Sequence, residues 1–191
     1  MKTALGHRLY EWTRRVRTRT FTLLIRGGFR RFGKTSVIRP PASIHGLDRI
    51  EIGDQVHIGP GSWLIALPNQ NHRTDPAIRI GDGCSIAGDM VITAMSMVHL
   101  GRHVLMGRSV HISDHAHRHH DSDQPVMNQG LTSPQPVRIG DGTWLGQGVV
   151  VCPGVTIGRN CVVGANSIVR HSIPDHSLAV GAPAKVIRRI S

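Results

Sequence analysis

Four histidines fall within six residues of one run, Ser113-Asp114-His115-Ala116-His117-Arg118-His119-His120-Asp121. Imidazole titrates near neutrality, so a ring in this run can take a proton from an attacking hydroxyl and hand it on to a leaving group. A carboxylate, Asp114 or Asp121, would hold that ring and fix its tautomer. A metal centre is the weaker reading, and no metal is expected, because a continuous run on a loop does not by itself make ligands converge. No GxSxG nucleophile motif occurs, which favours direct transfer of a group over a covalent enzyme intermediate.

The elements that must position this loop are legible as a repeat. An aliphatic residue recurs every six positions, usually followed by Gly, and falls into triplets: Ile52/Ile58/Leu64, Ile80/Ile86/Ile92, Leu100/Met106/Ile112, Ile139/Leu145/Val151 and Ile157/Val163/Val169. Ile38/Ile44 forms a partial sixth. Neither an α-helix nor an alternating strand repeats every six residues. One short strand plus one turn does, and three such units close a triangular coil with parallel pairing between coils. The expected fold is all-β, a left-handed parallel β-helix of hexapeptide repeats with an N-terminal helical segment and one long loop insertion. Four residues beyond each aliphatic stand small or medium side chains, among them Val56, Cys84, Thr143 and Cys161, which suits a confined second interior row.

Extra residues follow Ile44 (two), Leu64 (ten), Ile92 (two) and Ile112 (twenty-one), each time after the last repeat of a coil. All insertions should therefore leave one edge of the prism and stack there over a rigid support, where a site is built. The expected organisation is a basic segment over 1–36, the β-helix over 37–174 with loops at about 66–79 and 114–138, and a capping tail over 175–191.

Of the net charge of +11, residues 1–39 hold ten, with eleven Lys or Arg against Glu11. Leu5, Leu9, Trp12 and Val16 have helical spacing there, with arginines on other faces. That helix either caps the open first coil or attaches to an anionic membrane surface. Few aromatics and a near-neutral body argue against nucleic acid as a partner. Three cysteines without CxxC spacing suggest a reducing compartment.

The hexapeptides, the loop Ile112-Ser-Asp-His-Ala-His117, the stretches Ile139-Gly-Asp-Gly-Thr-Trp144-Leu-Gly and Val151-Cys-Pro-Gly-Val-Thr-Ile-Gly158, and the tail Val180-Gly-Ala-Pro-Ala-Lys-Val-Ile187 resemble the hexapeptide-repeat acyltransferases. The likeness is nearest to galactoside, maltose and capsule or exopolysaccharide O-acetyltransferases and covers about residues 38–190. It implies a homotrimer with acetyl-CoA as co-substrate in a groove between prisms; the cysteine usage suggests a cytoplasmic protein, and the basic N-terminus suggests a peripheral place at the inner membrane face. The acceptor would be a sugar or saccharide hydroxyl, attacking the thioester directly. The family pattern places the catalytic His on His117, with His115 as the alternative and Asp114 behind the ring. Trp144, Gly146, Gln147 and Ala165 match positions along the CoA arm, and Arg170, Lys185 and Arg188 match phosphate partners. Two other readings stand beside it: a zinc-dependent carbonic-anhydrase-like β-helix trimer, and a non-catalytic β-helix scaffold.

Overall fold

The computed structural model describes residues 2–68 and 75–190, with side chains from residue 5 onward, so residues 69–74 of the expected loop 66–79 lie outside the described residues. Helix α1 (Lys2–Ile25) leads into six coils of three strands each. The first three coils are β1 (Arg31–Phe32), β2 (Val37–Ile38), β3 (Ala42–His45); β4 (Ile50–Ile52), β5 (His57–Ile58), β6 (Ser62–Ala66); and β7 (Ile78–Ile80), β8 (Ser85–Ile86), β9 (Val91–Ala94). The next are β10 (Val98–Leu100), β11 (Leu105–Met106), β12 (His111–Ser113); β13 (Val137–Ile139), β14 (Trp144–Leu145), β15 (Val150–Val151); and β16 (Thr156–Ile157), β17 (Val162–Val163), β18 (Ile168–Val169). Equivalent strands pair in parallel with the coils on either side, so that Leu100 stands between Ile80 and Ile139. The result is a left-handed parallel β-helix with three flat faces.

The six-residue period follows from what each position must do. All fifteen triplet aliphatics point inward and are no more than 3% exposed. The second row, from Val56 through Cys84 and Thr143 to Ser167, is equally buried. Its polar members are partnered, as burial requires: Thr143 Oγ1 donates to the Gly158 carbonyl at 2.7 Å, and Ser62 Oγ to that of Gly59 at 2.8 Å. Burial pushes the Cys84 thiol up to about 11, consistent with inert filling of the interior. Where Gly follows an aliphatic, coils nearly touch; a Cβ on Gly81 would lie 2.5 Å from the Gly101 carbonyl oxygen.

A ladder of aspartates that the repeat search did not single out runs along the edge between the first and second faces. Asp54, Asp82, Asp141 and Asp175 each accept a backbone N–H from the turn of the preceding coil, at 2.7–3.0 Å. The Arg102 amide and guanidinium hold the Asp141 carboxyl below its usual range.

The four insertions leave after β3, β6, β9 and β12, all at the edge between the third and first faces. The ends differ from the sequence boundaries. The prism begins at β1, ahead of residue 37, with Arg31 and Phe32 paired to Glu51 and Ile52. The tail supplies β19 (Ser177–Gly181), parallel to β17, and then β20 (Ala184–Arg189), which turns antiparallel.

Helix α1 covers the first coil, but not with its Leu/Trp/Val stripe. Thr18 and Thr22 are the buried positions, and the Thr22 hydroxyl both donates to the Ile38 carbonyl (3.2 Å) and accepts the Ile38 N–H (3.1 Å). Leu9 and Trp12 remain 59% and 61% exposed. The open β2 edge needs backbone hydrogen-bonding partners more than apolar cover, and threonine supplies them. No helix among the described residues is long and apolar enough to cross a membrane.

Two expectations follow. Leu100→Ala, which opens a cavity in the middle of the stack, lowers unfolding free energy by about 2–5 kcal/mol in denaturant titration. His99 and His111 are held below the ordinary 6.5, chiefly by burial. Because the unfolded chain then binds protons more readily, the stability they contribute is present above pH 6.5 and lost as pH falls below it. Melting temperatures measured at constant ionic strength should be flat above neutrality and decline on acidification through that window.

Candidate active site

The long loop emerges where β12 ends, and its first residues are fixed rather than free. Residues 114–118 run back against 130–135: Thr132 N–H donates to the Ala116 carbonyl (2.8 Å), Gln135 N–H to that of Asp114 (2.7 Å) and Arg118 N–H to that of Gly130 (3.0 Å). Ser113 Oγ donates to the His115 carbonyl at 2.7 Å and accepts the Thr93 hydroxyl at 3.0 Å.

Asp114 is fully buried, and its carboxylate is caged by backbone donors. Oδ2 accepts the N–H groups of Ser96 (2.7 Å) and Met97 (2.9 Å), and the Met95 N–H bridges both oxygens at 3.0 and 3.1 Å. These donors come from the two-residue insertion after β9. Three amides aimed at one carboxylate compensate the desolvation of its charge.

The remaining Oδ1 contact is with His115 Nδ1 at 2.7 Å, and this ring is 9% exposed. A carboxylate can only accept, so Nδ1 carries the hydrogen in this contact and Nε2 is the nitrogen left for a substrate. His111, the first residue of β12, has its imidazole pushed down by burial and then by repulsion from His115.

His117 differs. Its backbone bridges Leu131, its carbonyl is approached by the His119 ring at 3.2 Å, and the residue is exposed. Asp121 organises the loop tip, accepting from Gln124 Nε2 (2.8 Å) and the Asp123 N–H (2.9 Å). Of the two candidate carboxylates, Asp114 is the one on a ring. Among the described residues no three His, Cys, Asp or Glu converge as a metal cage.

The positions matched to CoA fall on another edge. Gly146, Gln147 and Ala165 stack in the turns between the second and third faces; a Cβ on Gly146 would lie 2.7 Å from the Ala165 nitrogen. Trp144, 48% exposed, stands just before them on the outer side of β14, beside Leu105 and Val162. Lys185 pairs with Val180, whose side chain lies against Gly164, so it belongs to the Ala165 end of that edge. Arg188 is exposed on the same hairpin. Arg170 follows β18 and stands on the His115 edge, two coils away. Within one chain, then, Asp114 and His115 are together, the small-residue turns are together, and the two groups lie on different edges.

Sequence reasoning missed the supports. Arg49 donates to the carbonyls of Leu67 and Met95, tying consecutive edge connections together. It also lines a cavity of about 370 Å³ with Asp75, Arg79, Ser96, Met97 and Pro136 at the same edge. The only sequence signal was the short insertion after Ile92.

The fold is a hexapeptide coil that carries a carboxylate-anchored imidazole on its insertion edge, and the comparisons place it among transferases. Residues 136–171 match the family model for the bacterial transferase hexapeptide, six repeats. A putative lipopolysaccharide biosynthesis O-acetyl transferase of Escherichia coli is 32% identical over 159 residues, 80% of this chain and 78% of that protein. A probable acetyltransferase of Mycobacterium tuberculosis is 42% identical over 142 residues, 74% of this chain, although the match spans only 45% of that protein's length. A Vibrio cholerae hexapeptide-repeat acetyltransferase solved with acetyl coenzyme A superposes with a TM-score of 0.62 at 28% identity, covering 88% of this chain and 75% of that one. The chain belongs to the hexapeptide-repeat acetyltransferase family.

Asp114→Ala would leave three buried amides without an acceptor. Unfolding free energy should fall by roughly 3 kcal/mol, read by chemical denaturation.

Proposed function

We propose that this protein transfers an acetyl group from acetyl-CoA to a sugar hydroxyl, with His115 as general base and Asp114 as its anchor. The acceptor is a polysaccharide or lipid-linked saccharide intermediate. The observation that carries this reading is the 2.7 Å contact between His115 Nδ1 and a carboxylate held by three amides, which fixes the ring's orientation and assigns its Nδ1 to the carboxylate. The name of the E. coli relative supports a saccharide acceptor, and the acetyl coenzyme A in the Vibrio structure supports the donor.

In the reaction, the acceptor oxygen attacks the thioester carbonyl as its proton passes to Nε2. The tetrahedral intermediate then collapses, the carbon–sulfur bond breaks, and the proton moves from the imidazolium to the departing thiolate. The histidine is regenerated, and the products are the acetyl ester and free CoA. Asp114 stabilises the transient positive charge on the ring.

The separation of His115 from the Gly146/Gln147/Ala165 edge within one chain favours a homotrimer, in which a neighbouring prism brings the two edges to one cleft. The outward apolar row of Leu105, Trp144 and Val162 is the kind of surface such packing covers. In that cleft the pantetheine arm runs over Gly146 and Ala165 beside Gln147 and Trp144, and Arg170, Lys185 and Arg188 meet the nucleotide phosphates.

A thiol-release assay with acetyl-CoA and a panel of saccharide acceptors tests this. His115→Ala should reduce turnover by about 10²–10⁴-fold with an unchanged melting curve, while His117→Ala retains most of it. Loss of turnover in His117→Ala with His115→Ala active would move the base to His117.

A further inference from the structure

Among the described residues, the outward face of α1 is left uncovered. At 100° per residue, Leu5, Leu9, Trp12, Val16 and Leu23 fall in a strip roughly 60° wide. That strip lies opposite Thr18 and Thr22, the positions seated on the prism, and all five of its members are exposed. Along one side of it run Arg8, Arg15 and Arg19, also exposed. Behind that border, between α1 and the second face, lies a cavity of about 280 Å³ to which Arg14, Arg15, Arg19, Arg39 and His57 contribute. Burial and then the charges of Arg39 and Arg14 hold the His57 imidazole below its ordinary value, so the recess already resists one more cation.

We propose that α1 lies flat on a bilayer bearing anionic headgroups, with the Leu/Trp/Val strip in the boundary between headgroups and acyl chains and the arginine border on lipid phosphates. Charge complementarity selects this occupant. Residues 1–39 carry ten of the eleven net positive charges, and an apolar strip beside a basic border is what an interfacial helix needs. A second copy of the same face would bring two arginine rows together, which Coulomb repulsion opposes. Trp12 within the strip suits the boundary, where one end of the ring is apolar and the other wet. The helix lies on the membrane and does not cross it.

The test is co-sedimentation of the full chain with vesicles of phosphatidylcholine alone and of phosphatidylcholine mixed with phosphatidylglycerol, at low and high salt. Binding should be confined to the anionic vesicles and weaken with salt. Replacing Arg8, Arg15 and Arg19 together by Gln should lower partitioning roughly a hundredfold. The Leu9→Glu/Trp12→Glu double variant should lower it at least about tenfold. Both variants change exposed side chains only, so melting curves and thiol release in solution should match the parent. Equal binding to both vesicle types, or no effect of the double variant, overturns the proposal. So does a double variant whose solution assembly changes mass by light scattering, because the strip would then be a contact between copies.

Discussion

Everything in this structure depends on coil closure. Each backbone N–H of one coil must meet a carbonyl of the next, and this is possible only if every coil has the same three-sided path. The aliphatic stack enforces that path from inside, and the glycines allow the coils to come within backbone contact of each other. A residue that does not fit the six-residue count cannot be absorbed in a face without breaking parallel register. It has to be expelled at a corner, and here the corner is always the same one.

That restriction explains how the candidate site is made. Short and long insertions leaving one edge are stacked by the coils beneath them, so the two extra residues after β9 come directly under the start of the loop after β12. The amides of Met95, Ser96 and Met97 then have a common target in Asp114, and Asp114 in turn sets the ring of His115. A rigid solenoid thereby gives a loop histidine a fixed orientation.

Most of the architecture was legible because the interior repeat is strict: the fifteen triplet positions and the small second row are the residues the prism buries. The convergence on the insertion edge was legible for the same reason, since counting residues between repeats is enough to locate it. The choice between His115 and His117 was not. The family resemblance points to His117, whereas the bond that distinguishes the two rings depends on backbone amides, which carry no sequence signature. The helix itself was legible from its apolar spacing, but the side of it that meets the prism was not. An open strand edge needs a donor and an acceptor, and Thr22, which serves it, looks unremarkable among the arginines.

The Thr22 hydroxyl has a further consequence. Parallel coils are templates for more coils, and an unprotected first strand would invite another chain to add to it and begin a fibre. By offering a donor and an acceptor to Ile38 at once, that side chain occupies both backbone groups of one β2 residue with a single group from a helix. At the other end, β20 reverses direction and so offers no parallel continuation. On the second face, therefore, one end of the sheet meets a side chain from the helix and the other a reversed strand, and neither presents a ready parallel template.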